Sequence, residues 1–306
     1  MTRSQGEAFG PGKVILLGEH AVVYGEPALA VPLSLGVTAR GVPASRSLLV
    51  PPARLSLHHR RMLHAAFDRA AQAAGRPGVR VSVESTLPIS MGLGSSAALA
   101  VAVSRVLLEA AGRRARPAQV VEVALQMERA FHGTPSGVDH TCSAWGAPIL
   151  FRKATGGRTA RVRRVRPRGK AMLVLGLVGP RRGTQQTVAA LRERASRWPT
   201  RYARLFREVG RGVLEGTRAL EAGDLEALGD AMNVNHGLLA ALGVSSPPLD
   251  TAVDALRRAG ALGAKLTGAG GDGGAVVALF TAPPRDRKLL ERTGMRLLLS
   301  RLGNAA

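Results

Sequence analysis

The chain has 306 residues, 45% of them hydrophobic and 3% aromatic, a formal net charge of +22 and a single cysteine, Cys142. Such a length and apolar content suit a soluble enzyme with two sizeable cores, and one cysteine excludes an intramolecular disulfide and argues against a thiolate metal site. The charge invites a polyanion, yet few aromatics remain for base stacking and the arginines are dispersed, so no nucleic-acid partner is expected.

Lys13 to Gly18 reads as a short buried strand that ends in a turn at Glu19 and His20. Residues 27–42 continue as strand segments broken by Pro32 and Gly36. Apolar recurrence through Leu63, Ala66, Phe67 and Ala70 predicts a helix between Arg54 and Ala74, and strict alternation over 79–86 predicts a half-buried strand. Helices are expected at 95–111 and 117–132, the second with Pro117 in its first turn and Gly133 at its end. From Arg161 to Lys170 arginines alternate with valines in the manner of a strand with one solvated face.

A second unit begins near Lys170 with a buried strand over 171–178. That run, the longest apolar one, is too short to span a bilayer, and the first residues carry no apolar stretch of the secretory kind. A cytoplasmic protein with no membrane partner is therefore expected. Helices follow at 184–197, 200–222, 225–242 and 249–259, then a strand over 274–280 and a helix over 284–293. Segregated strands and helices indicate an α+β architecture, with domains spanning 1–169 and 170–306.

Glycine-bearing blocks punctuate this order. GLGSSAA at 92–98 stands directly before an apolar helical run. Glycine lets the backbone approach an anion closely, and the first free N–H groups of the helix then point at it with a favourable dipole. The block reads as a nucleotide-phosphate site, although the motif alone fits an ordinary strand-to-helix turn with a serine N-cap equally well. Neither the Walker pattern nor the dinucleotide fingerprint is present. Lysine occurs only at 13, 153, 170, 265 and 288, against an arginine-rich background. A compact ammonium is kept where a point charge must reach a phosphate or carboxylate, a reading stronger for Lys13 than for Lys265, where chance competes equally.

Taken in order, PGKVILLGEHAVVYG at 11–25, PISMGLGSSAAL at 88–99, ERAFHGTPSGVDH at 128–140, NVNHGLLAALGVSSPPLD at 233–250 and KLTGAGGDGG at 265–274 resemble the GHMP kinases, and within them the mevalonate kinase branch. The resemblance covers nearly the whole chain. It implies a two-domain fold, with an N-terminal domain like the second domain of ribosomal protein S5, a ferredoxin-like C-terminal domain and an active site in the cleft between them. It also implies phosphorylation of the primary hydroxyl of mevalonate with ATP and Mg²⁺. Ser90, Met91, Gly92, Leu93, Gly94, Ser95, Ser96 and Ala97 would cradle the nucleotide. Ser96 and Glu128 would be hard oxygen ligands for the metal. Asp139 would contact the acceptor hydroxyl with Lys13 beside it, and Glu19, His20, Thr184, Gly268, Ala269, Gly270 and Gly271 would face the substrate.

Read from the residues alone, Glu128 is a solvated helix residue, Asp139 an Asx turn and His20 a buried histidine with no metal partner at i+3 or i+4. A kinase for phosphomevalonate or homoserine, or a non-catalytic ligand-sensing relative, is the alternative function, and a homodimer stays open. Two departures matter: Ser90 stands where many GHMP kinases have glycine, and Asp272 interrupts the last glycine block, where it would repel a triphosphate unless it points outward. Cys142 is expected to fill apolar space rather than to react.

Overall fold

The protein is described by a computed structural model over residues 6–52, 55–88, 91–154, 160–179 and 184–303. Its first sheet contains β1 (Gly6–Leu17), β2 (Pro27–Pro43), β3 (Leu48–Val50), β4 (Val79–Ser85), β5 (Ile149–Arg152) and β6 (Arg161–Arg164). β1 lies antiparallel along β2 from Gly6↔Gly41 to Leu17↔Leu29. The opposite side of β2 is shared, with β5 on Pro27–Ala30 and β4 on Val37–Pro43. β3 adds in parallel to β4, and β6 forms the edge beyond β5, where the arginine–valine alternation predicts a strand, although it ends at Arg164 rather than continuing to Lys170.

The expected breaks in β2 do not occur, because the strand runs through both Pro32 and Gly36. Pro32 falls between the stretches paired to β5 and β4, where a missing N–H on that side leaves no ladder bond unmade. At Gly36 the backbone crosses β1 so closely that an added Cβ would lie 2.3 Å from the Gly10 carbonyl oxygen. Glycine here permits close approach rather than ending the strand.

Four helices cover this sheet: α1 (Leu57–Ala73), α2 (Ser95–Ala110), α3 (Pro117–His132) and α4 (Val138–Trp145). The α1 side chain of N-cap Ser56 accepts from His59 N–H, which starts the helix later than expected. α2 lies across β1 and β2 through fully buried Ala98, Val101, Ala102 and Leu107. Its fit requires Gly10, whose added Cβ would sit 2.0 Å from the Ala98 carbonyl oxygen. The SGVD stretch is not only a turn: Gly137, at φ 96, caps α4, and Asp139 stands in its first turn.

Between Arg164 and Met172 the chain passes to a second sheet of β7 (Met172–Val178), β8 (Gly263–Thr267), β9 (Gly274–Phe280) and β10 (Arg296–Arg301). The order β10-β7-β9-β8, antiparallel throughout, is that of a ferredoxin-like unit. Four helices, α5 (Thr184–Arg197), α6 (Pro199–Ala222), α7 (Leu225–Ala241) and α8 (Pro247–Arg258), connect β7 to β8, and α9 (Arg287–Arg292) leads to β10. β8 and β10 were not expected. β8 is buried at all five positions despite Lys265, so it shows no alternation, and β10 carries only three apolar residues between arginines. The two sheets are joined by a core that brings Val14, Leu17 and Val31 together with Leu175, Met232 and Val277. Hydrogen bonds from Thr267 Oγ1 to the Ile15 carbonyl (3.1 Å) and from Ser34 N–H to Ser300 Oγ (3.0 Å) cross the same seam.

Candidate active site

The glycine loop before α2 turns on Gly92 and Gly94, at φ 81 and 72, a left-handed conformation that costs glycine little. Gly94 caps α2, and the unpaired N–H groups of the first turn are left at the loop's mouth. The loop rests on Lys13: an added Cβ at Gly94 would come within 3.0 Å of the Lys13 side chain, and Lys13 N–H donates to the Leu93 carbonyl at 3.0 Å. Leu93 is buried and Met91 half-buried against the core, which anchors the loop. Ser95 and Ser96 are half-buried in the first helical turn, Ala97 is buried beneath them, and Ser90 lies outside the described residues.

Lys13, buried on β1, places its Nζ 3.0 Å from Asp139 Oδ1. Asp139 keeps about a third of its side chain exposed, so the pair forms one end of an open site rather than a sealed ion pair. Glu128 on α3 is buried, hydrogen-bonded with Ser96, and leaves Oε1 without a partner. Burial lifts its carboxyl from 4.5 to about 7, and the Asp139 charge adds to this, while the Ser96 hydrogen bond and the Lys13 charge oppose it. A buried, incompletely satisfied carboxylate beside a hydroxyl at a helix start is a hard-oxygen donor set that fits Mg²⁺, a metal that keeps water and phosphate oxygens in its shell. His132, one turn along α3 from Glu128, approaches Ser96 Oγ with Nε2 at 3.1 Å. The i,i+4 spacing of Glu128 and His132 in the ERAFH run would have identified it.

At the end of β1 the chain folds back sharply. Ala21 N–H donates to the Glu19 carbonyl at 2.6 Å, and His20 between them sits at φ 60, ψ −50. This is a γ-turn of the strained hand, rare for a residue with a Cβ. Glu19 is buried against Lys265 of β8, also fully buried, and the two form an ion pair. Burial drives both toward neutrality, the carboxyl up and the ammonium down, and each is held back by the charge of the other.

A cavity of about 280 Å³ joins the Lys13–Asp139 pair, the glycine loop at Gly92 and the turn at Glu19 and His20, while Ser96, Glu128 and Lys265 are not among its lining residues. Lys13, Ile15 and Asp139 line one end, with Gly92 and Ser136 beside them. Glu19, His20 and the turn Val22–Tyr24 form a wall, and Val188, Leu191 and Arg192 of α5 face it. Gly268 and Ala269 close it from the second sheet, where an added Cβ on Gly268 would be 3.5 Å from Gly92 Cα. Gly270 and Gly271 are not among its lining residues; they turn toward the Val244 carbonyl, to which Gly271 N–H donates at 3.1 Å. Asp272 is exposed. Thr184 opens α5, and its side chain lies outside the described part. Ser136, Val188, Leu191 and Arg192 carried no assigned role in the sequence reading, and α5 reaches the cavity only through tertiary packing; Lys265, read there only as a lysine kept for a phosphate or carboxylate or by chance, meets the Glu19 carboxylate from β8. A larger groove of about 700 Å³, around Glu109 and Arg113 at the far end of α2, contains none of these residues.

Sequence profiles of the GHMP kinases N terminal domain and the GHMP kinases C terminal domain match residues 61–147 and 217–292. The chain is 32% identical to a mevalonate kinase of Pyrococcus horikoshii, over 92% of this chain and 90% of that protein. It is 34% identical to a mevalonate kinase of Aeropyrum pernix, over 94% and 92%. Among solved structures, the L. major mevalonate kinase in complex with R-mevalonate superposes with a TM-score of 0.85 at 28% identity, covering 100% of this chain and 98% of that one.

Proposed function

The chain belongs to the GHMP kinases, and we propose that it transfers the terminal phosphoryl group of ATP to the primary hydroxyl of mevalonate, giving 5-phosphomevalonate. One observation carries the reading: the Lys13–Asp139 pair ends a cavity whose rim is the glycine loop at the N-terminus of α2. Its relatives are named for the same reaction.

Phosphoryl transfer asks for positioning and for control of charge more than for covalent chemistry. The N–H groups at the start of α2 hold phosphate oxygens. Asp139 orients the acceptor hydroxyl and takes its proton as the oxygen attacks phosphorus. Lys13, 3.0 Å from Asp139, holds that carboxylate in place and stabilises negative charge near the transferring group. Ser96 and Glu128 would hold Mg²⁺, which when bound would neutralise phosphate charge. Glu19 and His20 form the polar wall for the acceptor, while Val22, Val188 and Leu191 form the apolar one. Gly268 and Ala269 close the site from the second sheet, and Thr184 opens the helix that faces it. The reaction is assigned to the cytoplasm; among the described residues no helix is long and apolar enough to cross a membrane.

The test is phosphorylation by the purified protein, with ATP and Mg²⁺, of mevalonate, phosphomevalonate, homoserine and galactose in parallel. Mevalonate should be turned over with the highest kcat/KM. No turnover of mevalonate, or a clear preference for another acceptor, would overturn the assignment.

A further inference from the structure

Lys265 lies on β8 with none of its side chain exposed, and Glu19 follows β1 in the other sheet with almost none. Their ion pair therefore spans the seam between the two halves of the molecule. The lysine Nζ also donates to the Leu266 carbonyl at 2.7 Å. The segment carrying Glu19 is braced from the same side, by Asn235 Oδ1 accepting from Gly18 N–H at 3.3 Å and by Thr267 Oγ1 donating to the Ile15 carbonyl at 3.1 Å.

A buried ion pair is a poor choice for stability alone, because well-packed apolar residues of similar volume serve as well or better. The arrangement of Glu19 suggests another use. One oxygen, Oε1, is engaged by Lys265, whereas Oε2 is buried with no hydrogen-bond partner, and the residue lines the cavity. An ionised carboxylate has acceptor capacity on both oxygens, so Oε2 is a vacant acceptor on a residue that lines the cavity.

We infer that Lys265 is a positioning residue for the acceptor: from the second sheet it holds Glu19 so that Oε2 accepts a hydrogen bond from a hydroxyl of the substrate other than the one phosphorylated. This rests on the reading of the cavity as the mevalonate site. It assigns Lys265 and Glu19 together the recognition of a second hydroxyl, and so the preference for a dihydroxy acid over a monohydroxy one. A site built to pair a hydroxyl rejects an analogue that lacks it, since the partner is then left buried and unsatisfied.

The experiment compares mevalonate with 5-hydroxy-3-methylpentanoate, which lacks the tertiary hydroxyl, as substrates for wild type, Lys265→Met and the double variant Glu19→Leu/Lys265→Met. Wild type should favour mevalonate. Lys265→Met should lose roughly ten- to a hundredfold of that preference, the size expected for one hydrogen bond to a charged group, with the KM for ATP unchanged. Thermal melts supply the second readout. The single variant leaves Glu19 unpaired and should melt well below wild type, whereas the double variant buries no charge and should recover while remaining unselective. Should Lys265→Met fail to fold, the double variant carries the comparison of acceptors. Wild-type discrimination retained by the variants, or equal loss toward ATP, overturns this inference alone, as does a double variant no more stable than the single one. A wild-type protein that phosphorylates neither compound overturns the proposed function with it.

Discussion

Replacing Glu128 by glutamine should stabilise the metal-free protein and at the same time disable it. In the unfolded chain this carboxyl titrates near 4.5, whereas in the fold burial, with Asp139 adding, lifts it to about 7. Between those two values the native state retains a proton that the unfolded state has released. Stability contributed below 4.5 is therefore lost as pH rises through 7 and stays lost above it. The interval of roughly 2.5 pH units, at about 1.4 kcal/mol each, amounts to about 3 kcal/mol at neutral pH. Glu128→Gln keeps the shape and removes that loss, so its melting temperature should exceed that of wild type by up to roughly 5 °C above pH 7 and match it near pH 4.5. The assay is a series of thermal melts from pH 4.5 to 8 in the presence of a chelator, repeated with Mg²⁺ and ATP. On addition of ligand the order should narrow or reverse, because a ligand stabilises only the protein that binds it. Parallel pH curves for the two proteins would refute the argument from burial, and equal stabilisation by Mg²⁺ and ATP would refute the metal role.

Asp139→Asn preserves shape but removes charge and proton affinity, so turnover should fall roughly 10²–10⁴-fold with little change in ATP affinity; activity within a few-fold of wild type would remove Asp139 from the proton transfer. Lys13→Met should produce a similar defect, and the two together far less than the product of the singles, since the 3.0 Å pair acts as a unit; a multiplicative loss in the double variant would separate them. Ser96→Ala should fold normally and require more Mg²⁺ for half-maximal activity, and an unchanged Mg²⁺ titration would argue against the hydroxyl as a ligand. Cys142 is fully buried, its thiol pushed up by burial, so a thiol-reactive dye should leave the native protein unlabelled and active until it is unfolded; rapid labelling of the native form would contradict that burial.

Several features of the fold follow from neighbours along the chain. Gly92 and Gly94 before a run of alanines and valines specify a left-handed turn and a helix start, and the arginine–valine alternation specifies an edge strand. Both depend on local backbone and side-chain chemistry. Failures arose where a distant segment changed the meaning of a residue. Gly36 reads as a breaker until β1 is laid against it at Gly10. β8 does not read as a strand, because Lys265 is acceptable in a buried position only once Glu19 arrives from the other sheet. Asp139 reads as a turn residue, and its helix depends on Gly137 and on packing of α4 against α2 and α3.

The same division holds at the site. By itself the sequence marked a glycine loop directly before a helix, because glycine spacing is written in consecutive positions, whereas the oxygen ligands and the base were named only through the resemblance to the GHMP kinases. Only the tertiary structure decided that Lys13 meets Asp139, that Glu128 is buried to the point of holding a proton near neutrality, that α5 supplies Val188, Leu191 and Arg192 to the cavity, and that Glu19 is paired from the second sheet. Desolvation and charge pairing fall off over a few ångströms, and contacts at that range join residues from β1, α3, α4, α5 and β8 that no stretch of consecutive sequence contains.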